Sequence, residues 1–352
     1  MTAATRLDGS AAIALTCGDP AGIGLECAIK AWCARKQERL APFYLIAQHD
    51  DVKATAEQLA CADDLPLARI AAPHEALAAF DHALPLFDLA PYCAAQDQAQ
   101  SCITAIKLGV EQTRAKHAAA LVTNPLNKYK LYQAGFDFPG HTEFLAHLAC
   151  QDKSEQEALK SVMMLACDEL KVVPATLHVS LKEAIAQLNP ALLTQVLEIT
   201  HHFMMQHFGL PQPRIAVAGL NPHAGEQGSM GSEEVEWITA LLQDLRTTKG
   251  WQLLGPLPAD TLFHARARQA YDVAVCMYHD QALIPIKTLA FDEGVNITMG
   301  LDFVRTSPDH GTAYDIAGKG IARADSLCAA LRMAQRLTQR SAKQDQSGFS
   351  YE

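Results

Sequence analysis

Residues 214–226 read RIAVAGLNPHAGE, an apolar run that ends in a turn and a histidine, His223. Such a run reads as a strand buried in a sheet. Two other stretches have the same form. VVPATLHVS at 172–180 closes on His178, and VAVCMYHDQALIPIK at 273–287 carries His279. Each histidine lies at or just past the C-terminal end of its strand, the edge of an open α/β sheet where ligands bind. Three imidazoles delivered to that edge from separate parts of the chain point to a divalent metal. Three protein ligands also leave coordination positions open for a substrate. A single histidine at a strand end is more often a hydrogen-bonded structural residue. His201, His202 and His207, on one helix without accompanying carboxylates, are read as surface or packing residues. The chosen three differ in setting. His223 shares its loop with Gly225, Gly228 and Gly231, and His279 precedes Asp280, a carboxylate able to orient an imidazole.

Working outward, the chain alternates strands and helices. A strand at Ala11 to Thr16 leads through GDPAGIG (18–24) to a helix over Leu25 to Ala34, then to the strand FYLIA from Phe43. The alanine-rich stretch 52–91 reads as helices and short strands. A helix over Ala99 to His117 puts Ile103, Ile106 and Val110 on one face. The strand AALVT follows. SVMMLACDELKVVPATLHV reads as an antiparallel pair with its turn at Asp168 to Leu170. A helix starts at Pro190 and stops at Gly209. The strand VAVCMY ends at His279, and a last helix spans Asp325 to Arg340, with a polar, frayed tail beyond it. The fold class is therefore α/β, with mixed sheets flanked by helices. At 352 residues the chain exceeds one simple core and suits two α/β domains, and no Gly/Ser linker separates them.

Composition narrows the function. The net charge of -10, from 29 basic and 39 acidic residues, argues against a nucleic-acid surface. Ten cysteines are scattered from Cys17 to Cys328 with no Cys-x-x-Cys pair, as expected of small buried hydrophobes in a reducing compartment. No signal-peptide pattern and no bilayer-length apolar run is present. A soluble, cytoplasmic protein without membrane contact is expected.

Further residues suggest a phosphorylated ligand. PGHTE sets His141 and Thr142 at a helix start, where unpaired N–H groups and the positive dipole end suit phosphate; Thr142 as a plain helix cap is the alternative. Lys287, Asn296 and Arg305 are the polar members of IPIKTLA, GVNITMG and DFVRTSP, apolar runs read as strands. A cation in such surroundings takes an anionic ligand or a buried carboxylate. GDPAGIG is not GxGxxG, and no acidic residue follows at the ribose-binding place, so a Rossmann site is poorly supported. HGTAYDIAGKG (310–320) is the better nucleotide candidate: its glycines permit close backbone approach, and Asp315 can accept from ribose hydroxyls.

With these residues assembled, the chain resembles the 4-hydroxythreonine-4-phosphate dehydrogenase family of pyridoxal phosphate biosynthesis. The resemblance runs nearly end to end, through TCGDPAGIGLE, TNPLNKYKLYQAGFDFPGHTEFLA, GLNPHAGEQGSMGSEE, GPLPADTLF, YHDQALIPIK and TSPDHGTAYDIAGKG. It implies a two-domain fold like isocitrate and isopropylmalate dehydrogenases, with residues 1–140 plus 310–352 forming one domain and 141–309, carrying the metal ligands and dimer contacts, the other. It implies a homodimer with active sites near the subunit interface. His178, His223 and His279 match the family's metal ligands; His141, Thr142, Lys287, Asn296 and Arg305 match its substrate contacts. His310 and Asp315 match the adenosine-binding loop of the wider decarboxylating dehydrogenase group. The implied reaction is NAD- or NADP-dependent oxidation and decarboxylation of 4-phosphohydroxy-L-threonine to 3-amino-2-oxopropyl phosphate, with one zinc, magnesium, manganese or cobalt ion per site. Asp260 and Lys287 are the candidates to take the hydroxyl proton. Related dehydrogenases act on phosphothreonate, phosphoerythronate or a cis-dihydrodiol carboxylate, and a metal-dependent phosphosugar aldolase or hydrolase would use the same histidines without a nicotinamide. A non-catalytic metabolite-binding protein is a further reading; it would bind metal and ligand with no turnover. Three positions depart from the family pattern. Leu25 and Ser180 stand where proline is usual, and Leu177 replaces a threonine. The proline missing at 180 predicts a looser turn after His178.

Overall fold

The computed structural model describes residues 11–61, 64–94, 97–133, 135–138, 140–150 and 161–347. The chain separates into two compact units, Met1–Ser161 with Leu301–Glu352, and Val162–Gly300.

Among the described residues of the first unit, six strands run in the order β3-β4-β2-β1-β5-β12, every pairing parallel. They are β1 (Ile13–Thr16), β2 (Phe43–Ala47), β3 (Leu67–Ile70), β4 (Leu84–Asp88), β5 (Leu121–Val122) and β12 (Arg305–Pro308). Every residue of β1 and β2 is buried, as in a sheet covered on both faces. The helices are α1 (Gly24–Cys33), α2 (His49–Gln58), α3 (Ala76–Ala79), α4 (Gln98–Arg114), α5 (Lys128–Gln133), α6 (His141–Cys150) and α13 (Asp325–Ser347). The connection after β1 moves one way along the sheet, to β2. The chain later returns to the other side of β1 as β5. The loops that leave β1 and β5 thus flank a switch point of strand order, where open α/β sheets form ligand crevices. Sequence reasoning placed residues 141–309 in the second domain. Here α6 and β12 lie in the first unit, because β12 pairs with β5 and α6 packs on α4. The last helix also continues past Arg340 to Ser347, where a frayed tail was expected; residues 348–352 lie outside the described ones. Leu327, Ala330, Leu331, Ala334 and Leu337 are buried at helical spacing along it.

The second unit has the order β11-β6-β7-β10-β8-β9. The strands are β6 (Val162–Ala166), β7 (Lys171–Pro174), β8 (Arg214–Ala218), β9 (Gln252–Leu257), β10 (Val273–Cys276) and β11 (Val295–Met299). β6 is antiparallel to both neighbours, so the expected β6–β7 hairpin is present, and β7, β10, β8 and β9 are parallel. The helices are α7 (Leu181–Gln187), α8 (Pro190–Phe208), α9 (Thr239–Lys249), α10 (Ala259–Leu262), α11 (Ala265–Arg268) and α12 (His279–Leu289). α8 starts on Pro190 and ends on left-handed Gly209, as its sequence dictates. The core gathers Leu165, Val172, Ala216, Ala274, Cys276 and Ile286. Lys287 belongs to α12, not to a strand: Ala282, Leu283 and Ile286 form the buried side of a helix that tolerates Pro285 inside it. All ten cysteines are free, six of them buried.

Candidate functional site

Three adjacent parallel strands of the second unit, β7, β10 and β8, end on one edge, and each is followed there by one of the three histidines. His178 lies four residues past β7, His279 opens α12 directly after β10, and His223 sits in the loop after β8. Buried polar side chains stitch the strand ends together. Thr176 Oγ1 donates to the Met277 carbonyl (2.8 Å), fixing β7 to β10. Gln281 accepts from the Met277 N–H (2.7 Å) and donates to the Gly219 carbonyl (2.7 Å), fixing β10 to β8. Sequence reasoning passed over Thr176 and Gln281. Their signal was a buried polar residue beside each candidate ligand.

The imidazoles of His178 and His279 face one another, with ring centroids 5.6 Å apart. Both line a cavity of about 220 Å³ with Thr176, Leu181, Tyr278 and Asp280. Asp280 takes Nδ1 of His279 at 2.7 Å, so Nε2 is the nitrogen left to coordinate, as expected of a carboxylate-oriented ligand. His223 is paired differently: its Nδ1 stands 3.9 Å from Asp260, and both side chains are more than half exposed. Among the described residues no three His, Cys, Asp or Glu side chains converge closely enough to hold a metal. The structure therefore brings two of the three candidates into contact and leaves the third on the same sheet edge, beside Asp260.

The backbone at these candidate ligands is strained. His178 (φ 54°) and His223 (φ 53°) are both left-handed, and the left-handed conformation continues through Ala224, Gly225, Glu226 and Gln227. Each non-glycine residue there costs on the order of 1 kcal/mol, which persists only where the surroundings enforce it. Glu234, 2% exposed, supplies that enforcement, accepting from the Asn221 backbone (2.8 Å) and side chain (2.9 Å). A Cβ on Gly225 would stand 2.6 Å from the Glu234 carboxylate. Asn296 lies on β11 of the same unit, its Oδ1 buried without a hydrogen-bond partner. Lys287 Nζ lies 5.4 Å over the exposed Phe291 ring.

In the first unit His141 and Thr142 occupy the first turn of α6, as expected. Arg305, 3% exposed, donates to Thr123 Oγ1 at 2.6 Å, and burial pulls its pKa down to about 10. Burial, then the positive charges of Arg305 and Lys128, hold the His141 imidazole well below the usual histidine range, and its Nε2 is buried without a partner. A neutral imidazole, a buried guanidinium and a helix N-terminus form an anion-recognising group. His310 donates from Nδ1 to the Gly311 carbonyl (2.9 Å), leaving Nε2 as a buried acceptor without a partner. Asp315 is exposed on the same loop.

The model of the pyridoxal phosphate biosynthetic protein PdxA family matches residues 39–334. The chain belongs to the PdxA family. A 4-hydroxythreonine-4-phosphate dehydrogenase from Methylorubrum populi is 48% identical over 338 residues, 94% of this chain and 95% of its own. The crystal structure of a 4-hydroxythreonine-4-phosphate dehydrogenase from Klebsiella pneumoniae superposes with a TM-score of 0.79 at 35% identity, covering 94% and 98% of the two chains. A terephthalate 1,2-cis-dihydrodiol dehydrogenase from Burkholderia xenovorans superposes at 0.60 with 26% identity, over 93% and 98%. Of this PdxA chain's departures, Ser180 does not loosen the turn after His178. It caps α7 by accepting from the Glu183 N–H (3.2 Å), while Glu183 accepts from the Ser180 N–H (3.0 Å), a reciprocal box. The Ser180 N–H and, at 2.9 Å, the Ser180 hydroxyl both donate to the Glu183 carboxylate and hold it below its ordinary range. Leu25 is buried in the first turn of α1.

Proposed function

We propose that this PdxA-family chain is a metal-dependent NAD or NADP dehydrogenase that oxidises and decarboxylates 4-phosphohydroxy-L-threonine to 3-amino-2-oxopropyl phosphate, a step of pyridoxal phosphate biosynthesis. The observation that carries this reading is the near-full-length similarity to 4-hydroxythreonine-4-phosphate dehydrogenases. The site chemistry agrees with it. Facing imidazoles on a cavity, one already oriented by a carboxylate, fit a divalent cation. His178, His223 and His279 would hold it, with His223 exchanging Asp260 for the ion. Zinc suits such a set best, and magnesium, manganese and cobalt are the other candidates. When bound, the cation supplies Lewis-acid polarisation of a substrate hydroxyl, and NAD or NADP supplies the hydride acceptor.

The protein's own residues bind and orient. In the first unit His141, Thr142 and Arg305 take an anionic end of the substrate. In the second, Asn296 offers its buried carbonyl oxygen to a donor, and Lys287 is assigned a substrate contact. Asp260 and Lys287 are the proposed acceptors of the hydroxyl proton. His310 Nε2 and Asp315 are proposed to accept from the cofactor's adenosine. A homodimer in the cytoplasm is part of the same reading.

A sister dehydrogenase is the second reading, favoured by the likeness to the dihydrodiol dehydrogenase and by Leu177 beside His178. One assay separates these possibilities. Chelated protein is restored with single metals and offered 4-phosphohydroxy-L-threonine, phosphothreonate, phosphoerythronate and a dihydrodiol carboxylate, and absorbance of the reduced nicotinamide is followed. Turnover of the first substrate that requires both metal and nicotinamide is expected. Preference for another substrate establishes a sister enzyme. Carbon–carbon or phosphate cleavage without nicotinamide overturns the dehydrogenase reading.

A further inference from the structure

The loops leaving β1, β5 and β12 meet at the switch point of the first unit's sheet, and one buried carboxylate joins them. Asp19, 3% exposed, belongs to the glycine turn after β1. It accepts from the Ala21 N–H (3.0 Å), from Lys130 Nζ of α5 (3.1 Å), and in a short hydrogen bond from the Tyr314 hydroxyl. Lys130 Nζ also lies 4.9 Å over the Tyr314 ring. Burial lowers the Lys130 pKa, but the hydrogen bond and charge of Asp19 more than compensate and raise it, so the ammonium stays charged. The backbone repeats the connection: Asp19 N–H donates to the Pro125 carbonyl and Ile23 N–H to the Thr312 carbonyl (2.9 and 3.0 Å). The glycines of the turn make this approach possible. Gly18 is left-handed, and a Cβ there would stand 2.6 Å from that of Asn124; one on Gly22 would meet the Thr312 carbonyl at 2.8 Å.

Between its anchors the 309–320 loop holds a left-handed Ala313 (φ 46°), a conformation that needs enforcement. Tyr314 is the next residue, Asp315 the one after, and His310 lies three before Ala313. Lys30 secures the far end, donating to the carbonyls of Gly320 (2.8 Å) and Ala322 (2.6 Å). Asp315 is exposed, whereas its neighbour Tyr314 is fixed to the buried Asp19 carboxylate.

We propose that the Asp19–Lys130–Tyr314 cluster is a latch that positions His310 and Asp315 for the nicotinamide dinucleotide, so that Asp19, Lys130 and Tyr314 are positioning residues for cofactor affinity. The inference rests on the reading of 309–320 as the cofactor loop. Tyr314→Phe removes only the hydroxyl, from a ring already 41% exposed, and should fold normally. Losing one hydrogen bond to a charged, part-buried acceptor should raise KM for NAD about three- to ten-fold. The KM for the phosphorylated substrate and kcat should stay within about two-fold. Asp19→Asn, which keeps the shape and loses the charge, should raise KM for NAD further, and adding Tyr314→Phe to it should cost less than Tyr314→Phe alone because the hydroxyl's charged acceptor is then already gone. Direct titration of NAD by calorimetry should follow the same order. An unchanged NAD affinity in Tyr314→Phe, or a parallel rise in KM for both substrates, overturns the latch. Asp315→Ala tests the underlying reading separately. If it raises KM for NAD while Tyr314→Phe does not, the cofactor loop stands and the latch falls. If neither moves it, both fall.

Discussion

Arg305 is a guanidinium held at the base of a parallel sheet strand, where burial alone brings its pKa to about 10. A charge in such a place is stabilised most by an anion, and the neutral His141 beside it adds a hydrogen-bonding partner without adding repulsion. Arg305→Ala should therefore raise KM for the phosphorylated substrate about 10- to 100-fold, the loss of charge-assisted hydrogen bonds, while KM for NAD moves little. Equal effects on both constants in steady-state assays would remove Arg305 from substrate binding. His141 gives a pH prediction. Its folded pKa lies below that of the unfolded chain, about 6.5, so the unfolded state binds the proton more readily. The stability it contributes is complete above pH about 6.5 and is lost as pH falls from there toward the depressed folded value. Melting temperatures measured between pH 7.5 and 5 should fall less steeply for His141→Asn than for the parent. Parallel curves would mean that His141 is not the group that titrates.

Among the elements, α7 shows what the sequence alone conceals. The missing proline at 180 predicts a looser turn, yet Ser180 and Glu183 close a capping box that only the three-residue spacing and the geometry together reveal. Ser180→Ala should cost about 1 kcal/mol in denaturant unfolding and weaken metal binding, since α7 begins at Leu181, close in sequence to His178. Unchanged affinity for the metal by calorimetry would separate the cap from the site. The loop after β8 is the stronger test. Gly225→Ala places a methyl group against Glu234 in a left-handed run, and should lower stability by roughly 1–3 kcal/mol. The strands and most helices were legible in apolar runs, Pro190 and Gly209. α12 was not, because IPIKTLA is short enough to fit either period. The three histidines were legible as strand-end residues. The pairing of His223 with Asp260 was not, since it depends on a left-handed loop that no periodicity encodes.

At the scale of the whole molecule, the second unit exposes apolar side chains beside its candidate metal site. Leu181 and Ile185 share one side of α7 at 63% and 52% exposure, Val179 precedes them, and Ile284 of α12 and Phe291 just beyond it are 63% and 73% exposed. α7 and α12 both begin at the cavity that His178 and His279 line. Scattered apolar residues are ordinary on a surface, but a group concentrated around two helix starts at a polar site marks an interaction face. The prediction is that two copies of the same chain cover it, in an isologous contact that would set the candidate metal ligands near the boundary. Sedimentation of the intact protein should then give a dimer at micromolar concentration. Leu181→Glu with Ile185→Glu should give a folded monomer of unchanged circular dichroism, because both side chains already face solvent within one chain. If the dimer supports the metal site, that monomer should also bind the metal more weakly. A parent that sediments as a monomer, or a double variant that remains dimeric, would place the interface elsewhere.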